Sequence, residues 1–143
     1  VISSIFFNPE LALKSGNYTK LKPTNVEKKS INKGINFFKK LNDFDHIQAL
    51  IVKDGKVISK EDNRGTKTML SKLKKKSGGI LIKFPKKKQD LRMDLPTVGL
   101  NTFRDCKKFG LKGIVLKSKK NIFLNKFECI NFANKNRIFI KVE

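Results

Sequence analysis

The chain is poor in the residues that staple small proteins together or build compact metal centres. Among its 143 residues there is no tryptophan, one tyrosine, one histidine and two cysteines. Two thiols make neither a disulfide framework nor a zinc site. Cys106 and Cys129 both fall in amphipathic segments, so they read as buried thiols, which fits a reducing cytoplasm. The lone histidine, His46, stands just before an apolar run and reads as a surface or hairpin residue rather than a catalyst. No apolar stretch is long enough to cross a bilayer, and there is no signal-peptide pattern. The length suits one domain. The chain opens on Val1 rather than methionine, so it reads as a piece of a longer protein.

Arginine and acid are also scarce. Only Arg64, Arg92, Arg104 and Arg137 stand among 33 basic residues, against 12 acids, giving a formal charge of +21. Such an excess usually points to nucleic acid. Nucleic-acid readers, however, carry arginine for bidentate contacts and aromatics interleaved with basic residues. Here most phenylalanines fall at apolar core positions. Lys, Asn, Ile and Phe share A/T-rich codons, so base composition accounts for much of the bias. The sequence therefore disfavours nucleic acid as the partner. It leaves attraction to phosphates and to anionic membrane surfaces at low salt.

The apolar residues, 38% of the chain, come in short runs that suit a folded core. Residues 1–23 read as a connecting arm. Thr24-Asn25-Val26-Glu27 is a capping box, and Ile31, Ile35, Phe38 and Leu41 follow at helical spacing. Gln48 to Lys53, the turn Asp54-Gly55 and Val57-Ile58 predict a hairpin. Thr66 to Lys76 predicts a short helix ending at Gly78-Gly79. Ile80 to Phe84 predicts a buried strand stopped by Pro85. Leu100 to Phe109 predicts a helix capped near Asn101. Gly113 to Lys117 and Asn121 to Leu124 predict strands of a second hairpin. Asn125 with Glu128 predicts a capped helix, and Arg137 to Val142 a last strand. Helices interleaved with apolar strands predict a layered α/β sandwich, with a central mixed β-sheet and helices packed on it.

Chemistry concentrates after the strand at 80–84. Gln89-Asp90-Leu91-Arg92-Met93-Asp94-Leu95-Pro96-Thr97-Val98-Gly99 places two carboxylates around an arginine. Ligands in α/β folds bind beyond the carboxyl ends of strands, where this block belongs. Asp90 and Asp94 offer the hard oxygen atoms that Mg²⁺ or Mn²⁺ prefers. Arg92 and the preceding lysines 86–88 can neutralise phosphate. By spacing alone, the same pattern also suits a surface ion-pair network.

The block Gln89–Gly99 resembles, almost residue for residue, a segment of the UDP-2,3-diacylglucosamine pyrophosphatases of the LpxI type. Further likenesses run in order along the chain. They are Pro23-Thr24 through Gly34, Asp45-His46-Ile47-Gln48-Ala49, Gly65-Thr66 with Met69-Leu70, and Gly110 to Lys117. The resemblance implies residues 24–143 as the family's C-terminal catalytic domain, with 1–23 as a linker arm from a missing N-terminal domain. It implies metal-dependent cleavage of the substrate's pyrophosphate to UMP and 2,3-diacylglucosamine 1-phosphate in lipid A biosynthesis. The expected cofactor is Mg²⁺ or Mn²⁺. The expected partners are the nucleotide-sugar lipid and the inner-membrane surface, to which a cytoplasmic protein attaches peripherally; a homodimer is left open. Carried onto this chain, Asp90 and Asp94 become catalytic and metal-binding candidates, with Glu61 a third carboxylate. Gln89, Arg92, Gly65, Thr66, Gln48 and Thr97 become substrate-binding candidates.

The chain departs from the family's Glu-Gly-Thr-Asp motif, which here reads Arg64-Gly65-Thr66-Lys67. Two acids are replaced by two bases. Gly-Thr at a helix start still offers an anion backbone N–H groups, while Arg64 and Lys67 cannot ligate metal. The alternative expectation is therefore a catalytically impaired domain of the same fold that binds an anionic nucleotide or lipid.

Overall fold

The computed structural model describes residues 14–41, 47–73, 77–84, 97–118 and 121–143. Helix α1 (Asn25–Lys40) begins where the capping box requires. Thr24 Oγ1 accepts from the Glu27 N–H at 3.2 Å, and Glu27 Oε1 accepts from the Thr24 N–H at 2.9 Å. Strands β2 (Ala49–Lys53) and β3 (Lys56–Lys60) form the expected hairpin. Its turn residues Asp54 and Gly55 both have positive φ, as a tight turn of this kind demands.

Six strands build one sheet in the order β1-β8-β6-β4-β2-β3. The added members are β1 (Gly16–Asn17), β4 (Ile80–Lys83), β6 (Gly113–Leu116) and β8 (Phe139–Val142). β4, β6 and β8 run parallel, while β1, β2 and β3 pair antiparallel with their neighbours. The sheet is thus mixed, as expected. Residues 49–52, 80–82 and 113–116 are buried without alternation, because both faces are covered.

One face packs on α1, through Ile31, Leu50, Val52, Ile80, Ile82 and Phe139. The other carries α2 (Thr66–Ser71), α3 (Leu100–Lys108) and α4 (Lys126–Lys135), with Leu81, Phe103, Cys106, Ile114, Cys129 and Ile140 in its core. The two free cysteines are buried there. At Gly113 the β6 backbone lies against the Phe139 ring. A Cβ would meet ring carbons at 2.4 Å.

Several expectations need correction. The strand expected at 121–124 does not pair with β6. Its core, β7 (Ile122–Phe123), pairs in parallel with β5 (Thr97–Val98) in a separate small ladder. β6 is already bonded on both sides, to β4 and β8, and has no edge to offer. Gly99, not Asn101, caps α3, and Asn101 lies inside the helix. Asn125 does precede α4, but in a left-handed conformation with no side-chain cap. The last strand starts at Phe139, because Arg137 has φ 55 and turns the chain. Apart from these corrections, the described part of residues 1–23, which begins at residue 14, contributes a strand to the sheet. β1 pairs with β8, and Thr19 Oγ1 accepts from the Ile140 N–H at 2.9 Å.

Candidate active site

The carboxyl end of β4 meets the start of β2 and the end of β3, because β4 pairs antiparallel with β2 and Ala49 stands opposite Lys83. Main-chain bonds clasp this corner. The Phe84 N–H donates to Gln48 O, and the Glu61 N–H donates to Ala49 O, both at 2.9 Å. Residues expected to be functional but distant in sequence gather here.

Glu61 is the centre of the group and is only 8% exposed. Its carboxylate accepts from the Thr66 hydroxyl and, at 3.4 Å, from the Gln48 N–H. Gly65, with φ 91, turns the chain into α2 and so brings Thr66 back to Glu61. A side chain at that φ would be strained. The Thr66 hydroxyl at the head of α2 is therefore engaged by the protein's own carboxylate.

Lys83 completes the corner, and its role was missed by reasoning from the sequence. Its ammonium donates to Thr97 O at 3.3 Å, joining the end of β4 to the first described residue after 85–96. Burial pushes the Lys83 amine below its ordinary value, against the opposing pull of the Glu61 charge. The available signal was a lysine closing an otherwise apolar buried strand directly before the Asp-x-Arg-x-Asp block. Asn121 is a second addition. It is 3% exposed, its Oδ1 accepts from the Lys117 N–H at 2.9 Å, and its Nδ2 has no hydrogen-bond partner among the described residues. An orphaned buried donor is uncommon, and this one lies just past the carboxyl end of β6.

Arg64 and Lys67 do not join this cluster through any bond among the described residues. Arg64 Nη2 grips Asp62 at 2.6 Å instead, and its hydrogen bonds lower the Asp62 carboxyl to about 2. Lys67 is exposed on α2. Gln89, Asp90, Arg92 and Asp94 lie outside the described residues, as do His46 and lysines 86–88. Among the described residues no three His, Cys, Asp or Glu side chains come together to hold a metal.

A mixed sheet between helix layers, with a carboxylate, a half-buried lysine and hydroxyl and amide donors beyond the ends of its strands, is the architecture of an α/β ligand-binding or catalytic domain. The chain belongs to the LpxI C-terminal domain family, whose model matches residues 14–141. It is similar to the UDP-2,3-diacylglucosamine pyrophosphatase LpxI of Caulobacter vibrioides. The two are 27% identical over 141 residues, covering 92% of this chain and 50% of that protein. The chain thus spans half the length of this curated relative.

Proposed function

We propose that the protein hydrolyses the pyrophosphate of UDP-2,3-diacylglucosamine, giving UMP and 2,3-diacylglucosamine 1-phosphate in lipid A biosynthesis, at a membrane surface. The observation that carries this reading is the route of β4. The strand delivers Lys83 to the polar corner and continues in sequence toward Gln89–Gly99, in a chain whose family match covers that whole region.

In this reading Lys83 and Arg92 take phosphate oxygens, and Gln89 and Thr97 orient the diphosphate. Partial burial of Lys83 strengthens its hold on an anion, because the surroundings screen less than water. Thr66 and the Gln48 N–H fix the Glu61 carboxylate. Asp90 or Asp94 accepts the proton of the attacking water as its oxygen bonds to phosphorus and the bridging P–O bond breaks. The oxygen-only donor set of Glu61, Asp90 and Asp94 suits Mg²⁺ or Mn²⁺ rather than a softer ion. Held by these carboxylates, such a cation would supply positive charge to offset that gathering on the diphosphate and would make water more acidic.

The test is UMP release from UDP-2,3-diacylglucosamine by the full-length protein with Mg²⁺, before and after chelation, and in Asp94→Ala. The expected result is turnover that is lost on chelation and falls at least about a hundredfold in the variant. Undiminished turnover by Asp94→Ala removes that residue from the mechanism. Retention of substrate without turnover under every metal favours the impaired binding domain, which the bases at Arg64 and Lys67 motivate.

A further inference from the structure

Three lysine–phenylalanine pairs stand at the end of the sheet where β4 and β6 finish. Lys60 Nζ lies 5.6 Å from the Phe37 ring centre, Lys117 Nζ 5.5 Å from Phe84, and Lys126 Nζ 5.3 Å from Phe127. Below Lys117, Phe84 stacks on Phe38 with ring centres 5.2 Å apart. These rings, with Leu41 and Ile47, line a mainly apolar cavity of about 200 Å³ that Lys39 and Lys117 also border. On the helical layer across the sheet, just beyond β7, Leu124 is 42% exposed and Phe127 76% exposed. Phe127 is the most exposed large apolar side chain among the described residues.

Two needs meet on this end. Lysine amines seek anions, while the bare Phe127 ring and an open apolar cavity seek hydrocarbon. A polyanion satisfies only the first. A bilayer with anionic headgroups satisfies both, with aromatic rings at the headgroup level and lysine stems extending past them to phosphate. The far end of the sheet offers a contrast. Lys107 and Lys108 also stand over rings, Phe132 and Phe109, which are partly buried against the core as Phe37 and Phe38 are. What sets the docking end apart is the bare Phe127 ring beside its lysine and the open apolar cavity.

We infer that the end of the sheet bearing Phe84, Lys117 and Phe127 is a docking surface for an anionic lipid bilayer. Phe127 enters the boundary between headgroups and acyl chains, and Lys39, Lys117 and Lys126 meet the phosphates. Glu61 and Lys83 stand at the same end, so docking presents the polar corner to a lipid-linked diphosphate. That last consequence rests on the proposed reaction. Bilayer binding does not, and it is read without turnover, so the two can fail separately.

The absence of tryptophan supplies the test. Phe127→Trp and Phe109→Trp each introduce a single reporter, the first at the docking end and the second at the far end. Each protein is mixed at physiological salt with phosphatidylcholine vesicles, with or without phosphatidylglycerol. The expected result is a blue shift, with quenching by brominated lipid, for Phe127→Trp on anionic vesicles and none for Phe109→Trp. Co-sedimentation affinity should fall on the order of tenfold or more in the double variant Lys117→Glu/Lys126→Glu. It should change little in Lys107→Glu/Lys108→Glu, which alters the charge equally, and circular dichroism checks that each variant is folded. Equal weakening by the two double variants, an unshifted reporter at position 127 on sedimenting protein, or no sedimentation at all overturns the inference.

Discussion

Asp62 and Arg64 show how far one residue can redirect another. Both are exposed, yet the guanidinium holds the carboxyl at about 2. A base at position 64 therefore does not translate directly into a free cation for substrate. In Arg64→Ala, an NMR titration should find the Asp62 carboxyl near the ordinary value of about 3.9. Lys83 makes the opposite case, a charge held where water is scarce. Its folded value lies below its unfolded one, so the unfolded chain binds more protons between the two. The cost of burying the ammonium is full below the folded value and disappears as pH rises to the ordinary lysine value. Stability should therefore rise with pH through that alkaline window. Denaturant unfolding of Lys83→Met should show a flatter slope there, together with weaker turnover at neutral pH.

At the level of elements, local chemistry was legible and lateral pairing was not. The capping box at Thr24 and Glu27 and the turn at Asp54-Gly55 are written in adjacent residues, and both form as read. The partner of β7 is not written locally. Two short apolar runs with lysines between them look like a hairpin, while the actual neighbours of β6 arrive by crossovers through helices. The site divides in the same way. The Asp-x-Arg-x-Asp block announces itself by its charges, whereas Lys83 and Asn121 matter only because folding brings them to one end of the sheet. Gly113 tests the packing directly. Its Cα lies against the Phe139 ring, which is stiff and fully buried. Gly113→Ala should cost about 1–3 kcal/mol in chemical denaturation. No loss would mean that the ring can move aside.

Among the described residues, the molecule keeps most apolar side chains in two layers against one sheet and most lysines at the surface. A charge of +21 attracts any polyanion at low salt. DNA binding followed by fluorescence anisotropy should weaken steeply with added salt and be negligible near physiological strength, about 0.15 M. Persistent binding there would restore nucleic acid as a partner. The two-sided character of the sheet end also depends on parity. Along β4, Leu81 faces the layer of α2, α3 and α4, Ile82 faces α1, and the chain finishes with Lys83 and Phe84 divided in the same way. Deleting a single residue inside this strand, with its partners unmoved, would exchange their places and put an ammonium in the oily hollow and a ring beside Glu61. A change of chain length within β4 should therefore disturb this end less when it comes in twos than singly, provided the residues gained are as apolar as Ile80–Ile82.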